Sequence, residues 1–276
     1  MEEEQERLHE PTLIRRILAV AFVASLALWA NHEASKGYEI TVVNDAAHTP
    51  AGRRFALLFV SDDKASRIVI HASRTVERIL YAEDGDPAHK KPIDRVTLRL
   101  VDGNLTKEDA VVAVDHRTCA REFVVRISSN VMNTRPEEPA VAAAVHRCMA
   151  RVWLWDGGGR APAELVDGMV EYVSMAAGFA GPASDSGGGA AEPGEGCWAG
   201  MSPAGVARLL MYGEAVSPRF VARLNGAMRE GWHVRMVDDA FGRPICESYS
   251  SLIALPPAHA SAASSGSKAV GGLSSF

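Results

Sequence analysis

The sequence predicts an α+β fold, and three observations carry that prediction. Short stretches between residues 38 and 127 alternate polar and apolar residues, as half-buried strands do. Residues 64–80 place Ile68, Val69, Ala72, Val76, Ile79 and Leu80 at helical spacing, the signature of an amphipathic helix. From Pro139 onward the composition turns to helix formers. Strands first and helices later is the order of an α+β chain. No internal repeat is legible.

The elements follow in order. Residues 1–16 carry Glu2, Glu3, Glu4 and Glu6 without apolar periodicity and read as an acidic disordered tail. Residues 17–30 are uncharged, too short for a membrane-spanning helix of about 20 residues but suited to a signal-peptide core. Arg15 and Arg16 precede them, and Ser25-Leu26-Ala27 fits a small-x-small cleavage site. The segment is read as a secretory signal or signal-anchor, the alternative being a buried helix of a cytoplasmic protein. Tyr38–Val43 alternates and reads as a strand, and Thr49-Pro50-Ala51-Gly52 is turn chemistry. Phe55–Val60 is an apolar run compatible with strand or helix. Residues 83–92 form a loop, and Arg95–Val101, Val111–Val114 and Glu122–Ile127 are three more strands. Helices are predicted over 140–154, 163–175, 203–212, 218–230 and 234–241, with Arg208, Arg219, Arg223 and Arg229 on wet faces. Residues 178–196 read as a flexible Gly-rich insert, and 254–276 as a disordered Ala/Ser/Gly-rich tail.

Composition narrows the function classes. The chain of 276 residues is 47% hydrophobic and 23% charged, ordinary values for a globular protein. A net charge of −5 argues against an electrostatic nucleic-acid binder, so no nucleic-acid partner is expected. Four cysteines outside CxxC spacing exclude a zinc ribbon and a thioredoxin motif.

The specific signal is Val152-Trp153-Leu154-Trp155-Asp156-Gly157-Gly158-Gly159-Arg160-Ala161-Pro162, followed by Leu165-Val166-Asp167-Gly168-Met169-Val170-Glu171-Tyr172-Val173. These strings resemble the plant basic secretory protein family, zincin-like peptidases that read HExxH-V-W-x-W-N-G-x-G-x-A-P and then L-I-E-G-I-A-D-Y-V. The resemblance runs over 37–252. It includes Tyr38–Asn44 with the Thr49-Pro50-Ala51-Gly52 turn, Gly196-Cys197-Trp198, Ala207–Tyr212 and Phe220–Asn225. It implies a zincin-like fold: an N-terminal mixed sheet with a packed helix, then a mainly helical C-terminal half.

In that family an HExxH helix supplies two zinc ligands at i and i+4 and a general base between them. Anchored on Val152-Trp153, the two histidines fall on Arg147 and Arg151 and the glutamate on Cys148. The acidic residue of the next helix falls on Glu171, a remnant ligand whose ordinary reading is a charge partner for Arg147 or Arg151. A one-residue slip puts His146 on the first histidine but Arg147 and Ala150 on the others, and the motif fails again. The resemblance therefore implies a scaffold without its catalytic residues and without zinc. Trp153, Trp155, Asp167 and Tyr172 are the positions it places along the cleft wall.

The remaining candidates are weaker. Cys148 between arginines could serve as a thiol nucleophile, but no His–Asn arrangement accompanies it. His71, His89, His116, His146 and His233 are scattered without an HxH or HxxxH pair. Asn104-Leu105-Thr106 is a glycosylation sequon that matters only in the secretory pathway. The reading is a catalytically inactive pseudo-peptidase that binds a protein or peptide partner, extracellular or membrane-anchored, with defence as the process the family suggests. The alternatives are an active hydrolase using non-standard residues and an interaction protein tethered to membrane through 17–30.

Overall fold

Alternation along the strands buries one face of a sheet and leaves the other half-exposed. Val96, Leu98 and Leu100 of β2 (Arg95–Val101) and Phe123, Val125 and Ile127 of β4 (Glu122–Ser128) are buried, while Thr97, Arg99, Val124 and Arg126 between them are not. In this computed structural model, which describes residues 15–27, 37–81, 90–103, 105, 110–114, 121–179 and 196–253, the sheet has four strands. Their order is β1-β2-β4-β3, with β1 being Glu39–Asn44 and β3 Ala110–Val114. β1, β2 and β4 are parallel, and β3 closes the edge antiparallel to β4. The register sets Glu39 and Glu122 on either side of Arg95. Arg95 binds both, at 2.7 and 3.3 Å, tying three strands together on the wet face.

The chain divides into two compact units, and each is described by itself. The first comprises Met1–Trp155 and Val173–Gly181. Its helices are α1 (Pro50–Phe55), α2 (Lys64–Leu80) and α3 (Glu137–Trp153). α2 buries Ala65, Val69, Ala72, Ser73, Val76 and Leu80 along one stripe and packs on α3 and β1. α3 is covered on most sides: Val141, Val145, Met149 and Val152 have no exposed surface.

The second unit comprises Asp156–Tyr172 and Pro182–Phe276. It holds most of α4 (Ala163–Ala176), then α5 (Pro203–Val216), α6 (Phe220–Ala227), α7 (Met236–Phe241) and α8 (Ile245–Ile253). α4 and α5 approach closely because Gly168 has no side chain; a Cβ there would stand 2.2 Å from Cγ1 of Val206. The Glu214 carboxylate accepts from the backbone N–H groups of Arg219 and Val221, capping the start of α6. Asp238 does the same for α8 through the N–H of Ile245. A disulfide joins Cys197 to Cys246.

The α+β architecture, the strands and the helix over 64–80 stand as the sequence predicts. Two local differences have physical reasons. Thr49-Pro50-Ala51-Gly52 starts a helix rather than a turn: the Thr49 hydroxyl accepts from the Gly52 N–H at 3.0 Å and Pro50 occupies the first helical position. Of the two alternatives for Phe55–Val60, the helical one holds: the run is the end of that helix and a π-type turn over Ala56–Val60. The helix predicted over 218–230 is shorter because Arg219, at φ 64°, is left-handed and cannot continue a helix backward. Arg208, Arg219, Arg223 and Arg229 are all exposed.

Residues 15–27 are helical, and every one of them is exposed, including Phe22 and Leu26. Among the described residues no helix is long and apolar enough to cross a membrane. Residues 1–14 of the acidic tail, 180–195 of the insert, the tail 254–276, Asn104, His89 and His116 lie outside the described residues.

Candidate functional site

α3 begins after Pro136 with Glu137 and Glu138 in its first turn, where acidic side chains oppose the positive helix end. Its other end is fastened by two donors. The Tyr81 hydroxyl donates to the Trp153 carbonyl at 2.7 Å, and Lys91 Nζ donates to the Leu154 carbonyl at 2.7 Å. Trp153 is buried, donates from Nε1 to Ser73 Oγ at 2.9 Å, and meets Tyr38 and Tyr81 edge-on. It is therefore an interior anchor of the first unit. Trp155 is half-buried, with Lys91 Nζ 5.8 Å from its ring centre.

The helix so fixed carries the expected site positions. Arg147 and Arg151, four apart, share one face and are half-buried, while Cys148 is buried. A guanidinium is a donor with no lone pair to give, so neither arginine can ligate a cation. His146, one position before Arg147, is 2% exposed and its Nδ1 has no hydrogen-bond partner. Its ring lies 4.5 Å from that of Phe179 and 5.9 Å from that of His71. Burial, helped by the charge of His71, lowers its pKa to about 4, so it is neutral near pH 7.

The second unit carries the other positions. Glu171 and Tyr172 on α4 are buried and Asp167 is half-buried. Burial, and secondarily the charge of Glu214, raises the Tyr172 pKa to about 12 and keeps it a phenol. Before α4, Gly157, Gly158 and Gly159 all have positive φ, and the Asp156 carboxylate accepts from the Gly158 N–H. A Cβ on Gly157 would stand 2.7 Å from that of Trp232, so this glycine run is a structural turn.

A family model described as a peptidase of plants and bacteria, abbreviated BSP, matches residues 35–251. The chain belongs to that family. Neither the curated proteins nor the solved structures returned a match. The match extends over both units and agrees with the resemblance drawn from the tryptophan and glycine strings.

As a BSP-family chain it implies zinc, and the donors on α3 do not fit that ion. Where two neutral imidazoles are needed it has two cations, and where a carboxylate base is needed it has a thiol. Among the described residues no three His, Cys, Asp or Glu side chains gather to hold a metal.

The structure also brings together residues that sequence reasoning separated. His71 and His146 meet between α2 and α3, although 75 positions apart and in no metal spacing. The signal was present only in part: His71 lies on the predicted helix, but its neighbour follows from the packing. His233 is exposed and does not join them. The Cys197–Cys246 pairing had no local signal either, since 49 residues separate the two.

Proposed function

We propose that this BSP-family protein is a pseudo-peptidase that keeps the family scaffold and acts by binding a protein or peptide partner rather than by hydrolysis. The observation that supports the reading most is the α3 segment in which half-buried Arg147 and Arg151 and buried Cys148 stand in place of HExxH. Two guanidinium groups repel a dication, and no group there can take a proton from a zinc-bound water. The Cys148 thiol is buried, which disfavours the reading of a cysteine hydrolase. The disulfide supports an oxidising compartment, hence the secretory pathway, and the family's character points to defence. A membrane-tethered form is favoured by one separate observation: the helix over 15–27 is wholly exposed, and its residues 17–27, after Arg15 and Arg16, carry no charge.

The test is reversion. Arg147→His, Cys148→Glu and Arg151→His together restore the two imidazole ligands and the base on α3. The triple variant should bind one zinc per chain at micromolar metal, while the parent protein should not. Turnover should stay low, because imidazoles placed at positions evolved around arginines lack partners selected to orient them, a lack worth about 10–100-fold in metal affinity or activity. A folded triple variant that binds no zinc would break the inference from family to site. Zinc-dependent peptide hydrolysis by the parent protein would end the pseudo-peptidase reading.

A further inference from the structure

We propose a second, independent ligand site in the first unit: a pocket that takes a small hydroxylated phosphate ester. The pocket has a volume of about 620 Å³ and is walled by α1, the π-type turn, the segment after β2 and the 3-10 turn Ser129–Asn133. β1, β2 and β4 run parallel and end at Asn44, Val101 and Ser128, so the pocket opens beyond their carboxyl ends. That is the place where parallel sheets present ligand sites, because the loops there diverge and leave a crevice. Its volume suits a small molecule.

The lining chemistry selects the ligand. Arg53 and Arg54 bring two guanidinium groups, against the single carboxylate of Asp102. Arg54 is held in place: Nη2 donates to the Met132 carbonyl at 2.6 Å and to Asn133 Oδ1 at 3.4 Å. Its Nε is closed off from solvent, so half-buried Arg54 would meet a ligand through the remaining N–H groups of its fork. Arg53 is exposed and donates to the His48 carbonyl at 3.0 Å, which leaves most of its fork for a ligand. Asp102 accepts from Ser129 Oγ at 3.3 Å and lies 3.4 Å from His48 Nε2. A carboxylate at the rim cannot face an oxyanion directly, but it can accept from a ligand hydroxyl, as can the Asn133 carbonyl oxygen. The pocket thus offers a cationic end and an acceptor end. The Thr49 hydroxyl is spent on Ala46 and Gly52 and belongs to the scaffold.

The experiment is calorimetric titration of the full chain with inorganic phosphate, glucose 6-phosphate and glucose. Phosphate should bind with a Kd of about 1 mM, and glucose 6-phosphate about tenfold more tightly, because one further hydrogen-bonded contact is worth about that factor. Glucose alone should not saturate. Arg53→Ala, an exposed change, should weaken both phosphate ligands about tenfold, and Asp102→Asn should tighten inorganic phosphate severalfold. The opposite signs of two surface variants separate this pocket from diffuse binding at other arginines. No saturable heat from either phosphate ligand would overturn the proposal, as would affinities unchanged in both variants. If Arg53→Ala fails to fold, Asp102→Asn alone decides.

Discussion

Breaking the Cys197–Cys246 bridge is the perturbation whose size follows most directly from the structure. The bridge closes a segment with a sequence separation of 49 within the second unit, tying the turn at Gly196–Trp198 to α8. Its Cα atoms stand 5.5 Å apart, within the ordinary range for a bridged pair. By the chain-entropy relation, a closed loop of that length restricts the unfolded state by about 4 kcal/mol. The bridge adds to the apolar packing of that unit, where Leu209, Phe220 and Val237 are fully buried and Glu214 and Asp238 cap the short helices. A loss of that size should lower the melting temperature by about 8–15 °C. The assay is differential scanning calorimetry of the parent protein and of Cys197→Ala/Cys246→Ala, each with and without dithiothreitol. Reductant should reproduce the effect of the double substitution and add nothing to it. Cys148 is buried and should not react in the folded state. A double variant that melts within about 2 °C of the parent would refute the reasoning, because the loop would then be held by other contacts.

Three further outcomes follow. His146 has its pKa lowered from 6.5 to about 4, so below pH 6.5 the unfolded chain binds a proton that the folded chain refuses. Stability should therefore fall between about pH 6.5 and 4 by on the order of 1–3 kcal/mol, and urea unfolding of His146→Phe should show a flatter pH dependence over that window. Gly168→Ala should cost about 1–3 kcal/mol by forcing α4 from Val206, and Val206→Ala in the same chain should recover part of it, read from a double-mutant cycle in urea. Tyr81→Phe removes the donor to the Trp153 carbonyl in a buried setting and should cost about 1–3 kcal/mol in the same assay.

The fold was legible where side-chain period and burial coincide. In Arg95–Val101 and Glu122–Ser128 one face is buried and one is wet, so the alternation in the sequence is the alternation in space. The same holds for α2, whose apolar stripe faces its neighbours. α1 was hidden because Thr and Pro open helices as readily as turns, and only the Gly52 N–H shows which. Legibility was also limited for α3: its residues are buried on most sides, so its period is weak, yet its richness in helix formers located it. The tryptophan string encodes an interior anchor: the Trp153 indole donates to Ser73 and the Trp153 carbonyl accepts from Tyr81, so its recognisability follows from packing. The His71–His146 contact, the disulfide and the Arg53–Arg54 pocket share a different cause. Each joins elements distant in the chain, and no local pattern encodes such a meeting.

The central claim is that Arg147, Cys148 and Arg151 deprive a BSP-family scaffold of its metal. It is tested most directly by the zinc content of the purified full chain after equilibration with micromolar zinc and desalting. The account predicts far less than one zinc per chain and no loss of folding on treatment with a chelator. One tightly held zinc per chain, removed by the chelator together with peptide hydrolysis, would contradict it.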